Sequence, residues 1–211
     1  MEESSHQQAL ADTIGHLAAR WARADKQILR HVFPLLAEGQ PVTLARISEA
    51  AGSPPAMVEA ALELGRAERD AEGRVMELSG LMLSPTMHRV EIGDVALFSC
   101  CALLAQLAPM LVGRSVKVES IDPMSRRVVR LVITPQGVAA VEPSEAVASF
   151  VVTEPAGMAE DVSATFCRHV HHFASSESAA TFVAADRRRY PLEIGELNEA
   201  AEMLYRKAWM R

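Results

Sequence analysis

Apolar positions along the first forty residues recur at helical spacing. Leu10, Ile14, Leu17 and Trp21 follow one another at three- and four-residue steps, which lines them on one face. A second apolar set follows at Ile28, Val32 and Leu35-Leu36, and Gly39 closes it. Pro41-Val42-Thr43 begins a new unit, in which Thr43 is placed to cap a helix over Leu44 to Ala51. Gly52-Ser53 breaks that helix. Ser53-Pro54-Pro55 restarts another, because proline suits the first helical positions. The second helix carries Met57-Val58, Ala61-Leu62 and Gly65, and Glu72-Gly73 marks a hairpin beyond it. Helix, glycine turn, helix and hairpin together predict a winged helix-turn-helix module.

From Val75 the pattern shifts to strands. Gly80 to Ile92 and Ala96-Leu97-Phe98 flank a turn at Gly93-Asp94. Cys101 to Ala108 is apolar enough for a buried helix that ends near Pro109 and Gly113-Arg114. Short apolar runs at Ser115–Ser120, Arg127–Ile133 and Ala146–Val152 are separated by Asp122-Pro123, Pro135-Gln136-Gly137 and Glu142-Pro143. Helices at Ser178–Asp186 and Gly195–Trp209 complete the chain. The expected fold is α+β: a helical winged-helix-like module over 1–78, then a mostly antiparallel sheet core with flanking helices over 79–211.

Charge narrows the partners. The net charge is −6, which disfavours a large phosphate-binding surface. Arg126-Arg127 with Arg130, and Arg187-Arg188-Arg189, read as solvated faces or loops. The presumed reading helix, Pro54 to Arg66, offers Glu59, Glu63 and a single late Arg66, a poor match to a DNA groove. Nucleic acid is therefore disfavoured as a partner. The acidic opening residues lack a signal-peptide pattern, and no apolar run approaches the ~18 residues of a membrane span. The expected location is the cytoplasm, with no membrane partner. Three cysteines are too few for a disulfide framework, so reduced thiols are expected to serve chemistry or metal binding.

Two of those thiols stand in specific surroundings: Phe98-Ser99-Cys100-Cys101-Ala102-Leu103 and Phe166-Cys167-Arg168-His169-Val170-His171-His172-Phe173-Ala174-Ser175. These stretches resemble the paired-thiol site of the organomercurial (alkylmercury) lyases. In that family one cysteine precedes an Ala-Leu-Asp step, and the other opens a Cys-x-His-Val-His-x-Phe-Ala-Ser run. Weaker similarity at Gly39–Val42, Pro109–Arg114 and Ala140–Pro143 extends the resemblance over roughly residues 30 to 185. It implies that Cys101 and Cys167 bind an organomercurial, that a proton reaches carbon, and that inorganic mercury leaves on the thiols without an organic cofactor. Mercury is then substrate and product ion, and the partner is a small organometallic or a soft metal ion. The family's helical module is also one that does not bind DNA.

Leu104 stands where the family carries its proton-donating aspartate. General acid catalysis contributes ~10²–10⁴-fold, so this departure predicts slowed or altered protonolysis. A thiol proton, or an acid from elsewhere such as Glu91 or Asp94, is a conceivable replacement. The alternative is a soft-metal carrier or sensor without turnover; a DNA-binding regulator is less favoured. Cys100, about 100° from Cys101 on a helix, reads as a core thiol unless a bend brings it into a three-thiolate site. In a strand, Cys167, His169 and His171 share one face, a possible zinc or copper set, but His169, His171 and His172 read instead as hydrogen-bonded structural residues.

Overall fold

The computed structural model describes residues 2–210. Its helical module comprises α1 (Glu2–Ala19), α2 (Lys26–Leu29), α3 (Val32–Leu36), α4 (Leu44–Ala51) and α5 (Pro55–Gly65). Local signals act as the sequence predicts. Thr43 Oγ1 accepts from the Arg46 amide at 3.3 Å to cap α4, and Gly52 ends it in the left-handed conformation at φ +59°. Trp21 lies beyond the end of α1 yet is buried with Ile14 and Leu17.

The wing hairpin, β1 (Glu68–Arg69) and β2 (Val75–Leu78), does not stop at the module. Ser79 and Gly80, at φ +54° and +79°, form a two-residue turn into β3 (Leu81–Met82). Positive φ at both positions gives the turn the twist that tight hairpins need. The core strands follow as β4 (His88–Ile92), β5 (Val95–Ser99), β6 (Val116–Ile121), β7 (Val128–Thr134) and β8 (Gly137–Glu142). One antiparallel sheet runs β1-β2-β3-β5-β4-β6-β7-β8, so wing and core share a continuous hydrogen-bonded layer.

Between β5 and β6 lies α6 (Ala102–Val112), buried on all sides from Ala102 to Pro109. Pro109 does not end it. The helix runs one turn further to Gly113, held in the core despite the hydrogen bond that proline forfeits. The chain then enters β9 (Val147–Val151), whose five residues are all buried. Short helices α7 (Pro155–Glu160) and α8 (Val162–Thr165) lead to a 3-10 turn, Cys167–His169, and then to β10 (His172–Phe173). Last come α9 (Ser176–Ala184), β11 (Arg189–Glu193) and α10 (Ile194–Trp209), which packs on α6 and α1. A second antiparallel sheet, β10-β9-β11, completes the α+β arrangement.

Two strands escape the sequence pattern. β8 is mostly exposed and lacks alternation, and β11 is a polar edge strand, the position where Pro191 is tolerated. The strand in which Cys167, His169 and His171 would share one face does not form, and only His172 enters a strand, β10. A 3-10 turn occupies Cys167–His169, so period-two alignment does not apply there.

A three-thiol cavity as the candidate active site

The two cysteine segments meet where β5 turns into α6. Cys101 occupies the N-cap of α6 with extended φ and ψ of −157° and 167°. The next amide, of Ala102, donates to Val170 O at 3.0 Å, tying the helix start to the segment that carries Cys167. Ser99 Oγ donates to Cys101 O at 3.1 Å, and Thr86 Oγ1 donates to Ser99 O at 2.6 Å. Phe166 is anchored edge-on against Phe150, ring centres 5.5 Å apart. These bonds fix both thiols from the backbone.

The three sulfurs of Cys100, Cys101 and Cys167 all lie within 4.8 Å of one another. Cys100 Sγ donates to Cys167 Sγ at 3.1 Å. Cys100 is thus no core thiol. It sits before the helix rather than on it, so the 100° offset of a helical neighbour does not arise, and it faces a cavity of about 310 Å³ together with Cys167 and Leu104. Cys101, fully buried, lies behind them. An incoming ligand meets Cys100 and Cys167 first.

Burial disfavours ionisation of Cys101, but thiol hydrogen bonds from Cys100 and Cys167 and the Leu104 and Leu103 amides outweigh it and hold its pKa well below the usual thiol value. Its neighbours move the other way. Cys100 is raised by its bonds to Cys101 and Cys167 and by burial; Cys167 is lowered by Cys100's thiol but raised on balance by Cys101 and burial. The cluster therefore favours ionisation at Cys101 over either of its two neighbours. Three thiol sulfurs in this geometry form a soft-ligand set suited to mercury.

The cavity's other wall comes from the helical module: Leu17 of α1, Arg20 and Trp21 just beyond it, and Arg66 after α5. Arg20 Nη1 donates to Met158 O, clasping α1 to α7. Glu77 of β2 also lines the cavity, and burial pushes its carboxyl up to about 7 despite the Gly80 amide it accepts. Sequence reasoning passed over Glu77 because it lies in a short wing strand 23 residues before Cys100; its alternation signal marks only a strand. Glu91 and Asp94, the acids considered in its stead, do not reach the thiols. Glu91 pairs with Arg89 at 2.8 Å and Lys117 at 3.3 Å on the sheet's outer groove, and Asp94 is exposed in the β4–β5 turn.

The histidines lie behind this site and consume one another. Gln106 Nε2 approaches His172 Nε2 at 3.0 Å, His172 Nδ1 lies 2.8 Å from Ser120 Oγ, and Ser120 Oγ lies 2.8 Å from His88 Nδ1. With Gln106 donating, each link fixes the tautomer of the next. Burial lowers His172 to about 3 and His88 well below its ordinary value, so both are neutral. His171 Nε2 pairs with Arg168 O at 2.8 Å, and His169 Nδ1 accepts from Arg189. Among the described residues, the thiols are the only cluster of metal-ligand atoms.

The family model for alkylmercury lyase matches residues 81–206, and that for the helix-turn-helix domain of alkylmercury lyase matches residues 8–79. The chain is 39% identical over 153 residues to an alkylmercury lyase of Staphylococcus epidermidis, covering 72% of this chain and 69% of that one. With an alkylmercury lyase of Streptomyces lividans it is 33% identical over 180 residues, 84% of this chain and 81% of the relative. The crystal structure of the mercury-bound form of MerB2 superposes with a TM-score of 0.73 over 93% of this chain and 99% of that one; at 15% identity this shows a common fold.

Proposed function

The chain belongs to the alkylmercury lyase family, and on that premise we propose that it cleaves carbon–mercury bonds by protonolysis on Cys101 and Cys167, with Cys100 as a third mercury-facing thiol. The observation that carries this reading is the gathering of the three sulfurs within 4.8 Å of one another, with Cys100 and Cys167 opening on one cavity and Cys101 directly behind them. The Cys101 thiolate takes the mercury of R–Hg–X and displaces X⁻. A proton then joins the carbon as the C–Hg bond breaks, and a second thiol, on losing its proton, fills the vacated position on mercury. Mercury stays divalent throughout, and no organic cofactor enters the balance.

Leu104 lines the cavity where an acid would face the bound alkyl group. Protonolysis is therefore altered and slowed relative to a site with an acid at that position. The third thiol favours a second reading, a soft-metal carrier that holds mercury without turnover, since a third thiolate strengthens retention of the ion.

The helical module serves as a wall of the site rather than as a DNA reader. Arg66, the residue that closes its second helix, faces the cavity, and Glu59 is paired with Arg69 at 2.9 Å. Two units, 1–78 and 79–211, accord with the two family matches. Reduced thiols suit a cytoplasmic setting, and no described helix is long and apolar enough to cross a membrane.

Hydrocarbon and inorganic mercury released from an organomercurial, with excess small thiol present, test the reading. Turnover that disappears in both Cys101→Ser and Cys167→Ser supports the lyase. Tight binding without release, converted to turnover by Leu104→Asp, supports the carrier.

A further inference from the structure

A lyase without an acid at Leu104 needs another source for the proton that carbon receives. The cavity that exposes the thiols exposes one carboxyl in particular surroundings. Glu77 sits at the end of β2, two residues before the Ser79-Gly80 turn, and its Oε1 accepts from the Gly80 amide. Gly80 in turn is pressed against the thiol site. A Cβ placed there would lie 3.1 Å from Cys100 Sγ and collide with Leu104 Cδ1, and the Cys100 amide donates to Gly80 O at 3.3 Å. One short turn therefore carries the carboxyl, contacts Cys100, and abuts the side chain that replaced the family's acid. Among the described residues no arginine or lysine forms an ion pair with Glu77, although Arg20 and Arg66 line the same cavity. Glu77 is left free to exchange a proton.

We propose that Glu77 is the acid that protonates the mercury-bound carbon in this chain, replacing the donor lost at Leu104; the proposal rests on the lyase reading above. The carboxyl gives its proton to the carbon as the electron pair of the C–Hg bond becomes the C–H bond. The mercury, held on Cys101, accepts a second thiolate from Cys167 or Cys100, and that thiol's proton restores the carboxyl. Hydrocarbon leaves, a dithiolate mercury complex remains, and the carboxyl ends as it began. The state of Glu77 suits the task. Burial holds its carboxyl up at about 7, against the opposing Gly80 amide; Glu68 and Cys167 also raise it, and Arg20 lowers it. These groups, with Arg66 and Cys100, are the charged and titratable side chains facing it across the cavity.

The test is single-turnover benzene release from phenylmercury bound to the full chain, measured from about pH 6 to 9 beside the stoichiometry of phenylmercury binding. The unmodified protein is expected to release benzene more slowly as pH rises through about 7. Glu77→Gln, which keeps an acceptor for the Gly80 amide, is expected to bind phenylmercury fully but release benzene ~10²–10⁴-fold more slowly, with that pH limb gone. Adding Leu104→Asp to Glu77→Gln is expected to restore release. Unchanged release in Glu77→Gln overturns the donor and leaves the lyase standing. Full binding without any benzene from the unmodified protein overturns the lyase and the donor together. Should Glu77→Gln lose phenylmercury binding, Glu77→Asp decides: its shortened reach is expected to slow release by about 10²-fold, and release at the unmodified rate refutes the proposal.

Discussion

Two buried clusters of titratable side chains lie back to back, and they do opposite things. Behind α6, His172, Ser120, His88 and Gln106 bond to one another until few polar atoms are left. In front of it, Cys100 and Cys167 bond to each other, yet they open on a cavity shared with Glu77, Arg20 and Leu104. Both sets are rich in ligand atoms. The histidine set is neutral and walled in, bonded along its chain with only His88 Nε2 and Gln106 Oε1 left without partners; the thiol set favours ionisation at Cys101 and has room for a ligand. Ligand chemistry follows from unspent lone pairs beside a void, not from residue type.

The contrast breaks most visibly at the thiols. Cys101→Ser and Cys167→Ser are each expected to cut hydrocarbon release by about 10³-fold or more while barely moving the melting temperature, read by release assay and thermal unfolding. Gly80→Ala acts on both fold and site. It forces an alanine to φ +79° and sets its Cβ against Leu104 and Cys100, so a loss of about 2–3 kcal/mol and weaker mercury binding are expected in denaturant titration and binding assays. Ser120→Ala strikes the other cluster. It leaves two buried imidazole nitrogens without their partner, for a cost of about 2 kcal/mol and a melting point about 4–8 °C lower, with mercury stoichiometry unchanged.

The smallest effect separates the clusters by the sign of their pH response. Glu77 carries a folded pKa of about 7 against an ordinary 4.5, so the folded protein binds its proton more tightly than the unfolded chain does. Its contribution is present at low pH and is lost as pH rises from about 4.5 through 7. Glu77→Gln should therefore gain about 1–2 kcal/mol over the unmodified protein at pH 8 compared with pH 5, after allowance for water in the cavity. His172 is depressed to about 3, so its share is lost instead as pH falls below about 6.5. Thermal melts across pH measure both limbs.

Much of the fold is legible residue by residue. Thr43 and Gly52 bound α4 because capping and left-handed geometry are local chemistry. Apolar alternation finds β6 and β7, whose burial alternates with the pleat. The same reasoning brackets the end of α6 between Pro109 and Gly113-Arg114, and burial on every side carries the helix through proline's missing hydrogen bond to Gly113. It passes over β8 and β11, whose exposed or edge positions leave no alternation to read. At the site, the motif around Cys101 and Cys167 marks the thiols and, by its resemblance, an expected acid position at Leu104. Cys100 and Glu77 carry no comparable mark.

By itself the sequence determined what is written in contiguous residues: the winged helical module, the antiparallel core and the two cysteine contexts. Those features depend on propensity, periodicity and motif, all local along the chain. The tertiary structure alone decided that Cys100 turns toward Cys167, that Glu91 stays with Arg89 and Lys117, and that a wing strand brings Glu77 to the cavity. The physical reason is distance. Where a side chain points after a strand-to-helix turn, and how much water its carboxyl loses, depend on contacts between residues that the chain keeps far apart.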